Sequence, residues 1–105
     1  MATYNIEAGD CELVSLQSLR DGHGVGSALL GAVRDMAKIS GCRRLWLTTT
    51  NDNLRALGSY QKRGMSLVAV YRNAMEAARK LKPQIPTIGL NGIPLRDEFE
   101  LEIAL

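Results

Sequence analysis

Gly22, Gly24 and Gly26 stand at alternate positions in the run Arg20-Asp21-Gly22-His23-Gly24-Val25-Gly26. Each glycine lowers helix propensity by roughly 1 kcal/mol relative to alanine, so the run reads as backbone with a special task. A strand that enters a glycine-rich turn and leaves it in a helix gathers free N–H groups and the positive end of a helix dipole at one point. That arrangement suits an anion, a phosphate above all, and glycine lets the anion approach closely. One dipole contributes about 0.3 to 1 kcal/mol when exposed and up to about 2 when partly buried, so several N–H groups must act together. Two familiar phosphate motifs fail here. The Walker pattern needs Gly-Lys-Ser/Thr, whereas the helix start reads Gly26-Ser27-Ala28. The dinucleotide pattern G-x-G-x-x-G lands on Ser27 or Leu29 at its third glycine. An anion site of another kind and a tight connection without a ligand remain. His23, the single histidine, reads as a solvated or phosphate-facing side chain of this loop.

The chain around this loop supplies elements to hold it. Residues 3–7 and 12–19 read as strands joined by Ala8-Gly9-Asp10, a hairpin whose second strand runs into the glycines. Val25, Leu29, Leu30, Val33, Met36 and Ala37 recur at helical spacing, which predicts an amphipathic helix over 25–39, ended by Gly41. A strand over 44–50 follows, then a helix over 54–63 capped from Asn51-Asp52-Asn53 and stopped by Gly64. The mostly continuous apolar run at 65–71 has the length of a strand, and 73–81 reads as a short helix halted by Pro83. Residues 83–97, with three prolines and two glycines, read as a loop. The ending alternates Phe99, Leu101, Ile103 and Leu105 against Glu98, Glu100 and Glu102, as a half-buried strand requires. No internal repeat is present.

Composition narrows the class. At 105 residues, 46% hydrophobic and 23% charged, the chain fits one domain over residues 1–105. Its 13 basic and 11 acidic residues are spread along the chain, so no nucleic-acid partner is expected. Cys11 and Cys42 lack the spacing of a zinc site, and no metal is expected. Two reduced, buried thiols in a cytoplasmic protein are the expectation, without a membrane role, since no apolar run approaches the roughly 20 residues of a span.

Asp21-Gly22-His23-Gly24-Val25-Gly26-Ser27-Ala28-Leu29-Leu30 resembles the acetyl-CoA signature of the GNAT superfamily of N-acyltransferases, Q/R-x-x-G-x-G/A, with Asp21 in place of Gln or Arg. A second stretch, Asn53 to Met65, resembles N-x-x-A-x-x-F-Y-x-K-x-G-F. Asn53, Ala56, Tyr60, Lys62 and Gly64 match, and Ser59 and Met65 replace aromatic residues. The resemblance covers roughly residues 10–71 and implies a partial GNAT fold: an α/β (α+β) domain with a mixed central sheet of about five to six strands and three helices. The strands either side of the signature helix would splay to admit acetyl-CoA.

The resemblance also implies roles. The strand end at Leu16, Gln17, Ser18 and Leu19 would bond the acetyl-pantetheine arm. The loop of Asp21, Gly22, His23, Gly24, Val25, Gly26 and Ser27 would hold the pyrophosphate. Asn53 and Ala56 belong to the cofactor-binding set, Asn53 by contact with the pantetheine. Tyr60 would protonate the departing sulfur. Glu12 would take the proton from an amine, because Glu12-Leu13-Val14 resembles the Glu-Ile-Val run of histone-acetylating members. In the bland alternatives Tyr60 is a half-buried packing residue and Glu12 a solvated carboxylate.

Family members normally carry a strand, helices and further strands ahead of the point where this chain starts. Two functions follow: an acetyltransferase acting on an amine of a small molecule or peptide, with loop 83–97 or a second subunit forming the acceptor site, or a non-catalytic CoA-binding or self-associating module. The exposed first hairpin predicts a homo-oligomer. The acidic stripe of Glu98, Glu100 and Glu102 and the basic residues Arg79, Lys80 and Lys82 read as solvated faces that do not identify the acceptor.

Overall fold

The computed structural model describes residues 2–16 and 25–105. Five strands and three helices alternate: β1 (Ala2–Glu7), β2 (Asp10–Leu16), α1 (Val25–Ile39), β3 (Arg44–Thr50), α2 (Leu54–Lys62), β4 (Ser66–Tyr71), α3 (Ala74–Leu81) and β5 (Glu98–Ala104). The sheet order is β1-β2-β3-β5-β4. Only β2 and β3 run parallel; every other neighbouring pair is antiparallel. The α+β class, the mixed sheet and the three helices agree with the sequence reading.

The hairpin between β1 and β2 closes in two residues, with Ala8 at φ 53° and Gly9 at φ 82°. Positive φ at both central positions matches the right-handed twist of the strands. Arg43 steadies this turn: its N–H donates to the Gly9 carbonyl at 2.7 Å, and its Nη2 to the Ala8 carbonyl at 3.3 Å.

One face of the sheet carries the core. Cys11 and Leu13 of β2, Leu45 and Leu47 of β3 and Leu101 of β5 point toward the helices. Leu30, Val33 and Ala37 of α1 and Ala56 and Tyr60 of α2 cover them. The i, i+3, i+7 spacing on α1 makes that possible, and a fully buried leucine contributes about 1.5 to 3 kcal/mol. Both cysteines are free and buried. Among the described residues no helix is long and apolar enough to cross a membrane.

The apolar run at 65–71 forms a strand, as its length implied, but β4 lies at a sheet edge, and Leu67, Val68, Val70 and Tyr71 are each close to half exposed. A continuous apolar run signals burial on both faces only in a central strand. Arg79 is not the solvated cation that the sequence suggested. It donates from Nε to the Ile85 carbonyl at 3.3 Å, from Nη2 to Pro86 at 2.9 Å, and from Nη2 to the Leu95 carbonyl, clasping both arms of the loop. Glu100 and Glu102 are likewise engaged, with Arg44.

Candidate functional site

The strand β3 has unlike neighbours. Against β5 it is paired along its whole length, seven rungs from Arg44↔Ala104 to Thr50↔Glu98. Against β2 the ladder has three rungs, Asp10↔Arg44, Cys11↔Leu45 and Glu12↔Trp46, although β2 continues to Leu16 and β3 to Thr50. β2 meanwhile stays paired with β1 as far as Ala2↔Leu16. The parallel strands therefore part as a fork beyond Glu12 and Trp46. Main-chain groups on the facing edges, over residues 13–16 and 47–50, are not paired with each other. Polar main chain without partners is costly, so such a gap suits an extended ligand that takes those hydrogen bonds.

Two helices begin at the open end of this fork. α1 has 15 residues, about 22 Å, which matches the length of the neighbouring strands. Its C-terminus leads through residues 40–43 into the start of β3, so its N-terminus lies where β2 and β3 finish. α2 starts four residues after the end of β3. Neither helix has an acidic residue in its first turn. Two positive dipole ends thus meet at one edge, a setting for an anionic group. Asn53 caps α2, its Oδ1 accepting the Ala56 N–H at 3.2 Å. Ala56 itself packs in the core.

Glu12 sits at the crotch of the fork, half-buried on the last rung opposite Trp46. Because Cys11 and Leu13 face the helices, Glu12 faces the other side of the sheet. Tyr60 approaches from the helix side and is 8% exposed, more buried than the half-buried ring the sequence suggested. Burial pushes its phenol above the ordinary value, and the nearby Arg63 guanidinium pulls in the opposite direction. Tyr60 is therefore a neutral hydroxyl at physiological pH, able to donate. Leu16 ends β2, and Val25, Gly26 and Ser27 form the first turn of α1. Gln17, Ser18, Leu19, Asp21, Gly22, His23 and Gly24 lie outside the described residues.

Two features escaped the sequence reading. The first closes the fork at its base. Arg44 reaches Asp10 of β2 at 3.2 Å, and Glu102 and Glu100 of β5 at 2.7 and 3.1 Å. Its guanidinium lies 5.2 Å from the Trp46 ring centre. Glu102 first, then Glu100 and Asp10, hold Arg44 more firmly protonated than a free arginine. The acidic stripe of β5 was the available signal, since an adjacent strand must offer it a cation.

The second feature folds loop 83–97 onto the open end. Asn51 Oδ1 accepts the N–H groups of Arg96 and Asp97, both at 3.0 Å, and its Nδ2 donates to the Pro94 carbonyl at 2.9 Å. The buried Asp52 carboxylate accepts the Leu90 N–H at 2.8 Å and the Thr50 hydroxyl. A Cβ at Gly89 would fall 2.1 Å from Asp52 Oδ2, so only glycine fits there. Asp97 accepts from Arg96 and from the Asn73 N–H, and these bonds hold its carboxyl below the ordinary range. Asn51-Asp52-Asn53 thus anchors a loop with its first two residues and caps a helix with its third.

The chain is similar in sequence and in fold to known proteins. The chain is 51% identical over 97 residues to the uncharacterized protein YdhI of Bacillus subtilis (strain 168), an overlap of 92% of this chain and 61% of that protein. It spans about three fifths of the length of the curated relatives it matches. Its fold is similar to that of a Bacillus subtilis acetyltransferase crystallised in complex with CoA: TM-score 0.80, 24% identity, 99% of this chain and 68% of the other. A GNAT family acetyltransferase from Elizabethkingia anophelis with acetyl-CoA bound gives a TM-score of 0.78 at 23% identity, over 99% and 68% of the two chains. Residues 11–65 match the description Acetyltransferase (GNAT) family. That match runs from β2 through the capped helix to the start of β4, more than half of the sequence, and the chain belongs to this family.

Proposed function

We propose that the chain binds acetyl-CoA in the fork between β2 and β3 and transfers the acetyl group to an amine of a small molecule or peptide. The observation that carries this reading is the parting of two parallel strands after three rungs, with two helix N-termini at the open end. Unpaired edge groups suit the amide-rich pantetheine arm, and the helix starts suit the pyrophosphate. When bound, acetyl-CoA supplies the thioester that an amine attacks and from which a thiolate leaves.

The residues around the fork divide the work. Main-chain N–H groups of β2 beyond Glu12 hold the arm and stand ready for negative charge on the carbonyl oxygen. The loop from Asp21 to Gly24, with Val25, Gly26 and Ser27, takes the pyrophosphate, and the Asn53 amide takes the pantetheine. Glu12 accepts the amine proton, directly or through water, and Tyr60 donates toward the leaving sulfur. The two act from opposite faces of the sheet, so the proton is taken on one side and given on the other. Loop 83–97, anchored by Asn51 and Asp52, forms one wall for the acceptor. A second copy, paired along the exposed edge of β1 or β4, forms the other.

Calorimetric titration of acetyl-CoA into the full chain tests this reading. Micromolar binding that weakens in Gly24→Glu is expected, followed by amine turnover that falls in Tyr60→Phe and Glu12→Gln. No heat and no thermal shift at millimolar acetyl-CoA would reject the cofactor site. Binding without turnover of any amine would instead favour a non-catalytic module, to which Asp21 in the signature position points. Light scattering that gives a monomer at micromolar concentration would end the proposal of a second copy.

A further inference from the structure

β4 closes one side of the sheet, and its outer main-chain edge pairs with no strand among the described residues. The strand reads Ser-Leu-Val-Ala-Val-Tyr, without a charge or a proline. Charges and prolines are devices that keep an edge from pairing, and β1, the other edge, carries one of them in Glu7. Leu67, Val68, Val70 and Tyr71 of β4 are left close to half open to water.

The register of β4 says which strand such an edge fits. Leu67 stands opposite Leu101 and Val70 opposite Phe99, both in the helix-facing row of β5. Leu67 and Val70 are three residues apart, and in an unbroken strand they would point to opposite faces. The irregularity between Leu67 and Ala69 adds one residue and returns Val70 to the face of Leu67. Ser66 and Tyr71, opposite Glu102 and Glu98, share the other face in the same way. Turned end for end, β4 therefore repeats its own pattern. Leu67 comes level with Val70 and Ser66 with Tyr71, each pair on one face and in one hydrogen-bonding phase. A bulge usually blunts an edge; here it makes the edge complementary to itself.

We propose that two copies of this chain join antiparallel along β4, Leu67 of each opposite Val70 of the other, into one sheet of ten strands. The pairing gives partners to the free N–H and C=O groups of both edges, and Leu67 and Val70 of each copy form an apolar patch on the helix side. A two-fold axis between Val68 and Ala69 makes the contact isologous. The acidic stripe of β5 does not oppose it. The two β5 strands lie three strand spacings apart, about 14 Å, beyond the Debye length of about 8 Å at physiological salt. Arg44 and the Tyr71 hydroxyl also engage Glu100 within each copy. This inference rests on the proposal of a second copy, for which it chooses the edge, and not on acetyl-CoA binding.

The test measures the mass of the full chain by light scattering and sedimentation, without acetyl-CoA, from micromolar to millimolar concentration. The parent should pass from monomer to dimer in that range. Val70→Lys and Leu67→Glu each place a charge in the patch, and each should raise the concentration of half-dimerisation at least about tenfold. Both positions are half exposed, so far-UV CD and the thermal midpoint should stay near those of the parent. An equimolar mixture of the two variants should dimerise at least about tenfold more tightly than either alone. In the mixed dimer the introduced ammonium faces the introduced carboxylate on one side of the axis, and Leu67 meets Val70 on the other. If either variant folds poorly, Val70→Asp with Leu67→Arg repeats the exchange with the charges reversed. A monomer at every concentration would overturn this inference together with the second copy. A dimer indifferent to both variants would overturn the β4 edge and leave the second copy to β1. Two monomeric variants that stay monomeric when mixed would overturn the register. No cofactor is present in these measurements, so failure of the fork to bind acetyl-CoA would alter none of them.

Discussion

On its β5 side, β3 makes seven rungs; on its β2 side it makes three. Both neighbours offer strands of seven residues, so length does not explain the difference. The β5 side is a structural seam. Its helix-facing residues Leu47 and Leu101 are buried, and its other face is stitched by Arg44 to Glu100 and Glu102. The β2 side is closed only at its base, where the same arginine reaches across to Asp10. Arg44 therefore works as a pivot, tying three strands at the base of the fork, two residues before it opens. One strand holds the sheet together with one edge and leaves the other edge free for a ligand.

Damage to the seam should cost folding before it costs binding. Leu101→Ala removes a fully buried side chain opposite Leu47 and should lower unfolding free energy by about 2 to 5 kcal/mol, read by urea denaturation. The folded fraction should keep its acetyl-CoA affinity; a parallel loss of affinity would mean that the two sides of β3 are not independent. Gly89→Ala comes next. With its Cβ 2.1 Å from Asp52 Oδ2, the loop must move, at a cost of about 1 to 3 kcal/mol. Faster proteolysis within 83–97 and a higher KM for the amine, with an unchanged KM for acetyl-CoA, are the expected readouts. Arg44→Met should cost less, about 1 to 2 kcal/mol, because the cluster is partly open to solvent. Amide exchange should quicken at Cys11 and Glu12 and change little along the middle of the β3–β5 ladder. Equal loosening of both ladders would remove Arg44 from its place as pivot.

The sequence was most legible where one local rule decided the outcome. The spacing on α1, the alternation on β5 and the Asn53 cap each gave an element within one or two residues of its observed bounds. It was least legible where the outcome depended on which strands became neighbours. The run Ser66–Tyr71 reads as a strand, but nothing local says that it becomes an edge, which it does because β5 inserts between it and β3. Arg79 reads as a surface cation until the loop folds back within reach of it. Asn51 and Asp52 read as capping residues, yet their partners stand some forty positions away in the chain. The fork itself is invisible to periodicity, because a strand that stops pairing on one edge keeps its alternation. It entered the sequence reading only through the resemblance of the glycine loop and the Asn53–Gly64 stretch to a family.

The smallest expected effect concerns the hydroxyl of Tyr60, whose ring packs into the core on the helix side of the fork. Burial raises its pKa, with Arg63 opposing, so the folded protein holds the phenolic proton more tightly than the unfolded chain does. The contribution is fully present below the unfolded value of about 10 and is lost as pH rises through the higher folded value. Tyr60→Phe keeps the ring and should change stability by less than about 1 kcal/mol near neutrality. Above about pH 10 the parent should lose stability more steeply than the variant, read by denaturant midpoints at stepped pH. Comparing the two proteins removes the exposed Tyr4 and Tyr71, which both retain. Parallel curves would mean that the phenol is open to water and not packed under α2. The same proton sets a kinetic expectation: between about pH 7 and 9 the hydroxyl stays protonated, so the fractional loss of turnover in Tyr60→Phe should be constant across that range. A loss that vanished toward pH 9 would assign the titrating acid to another group.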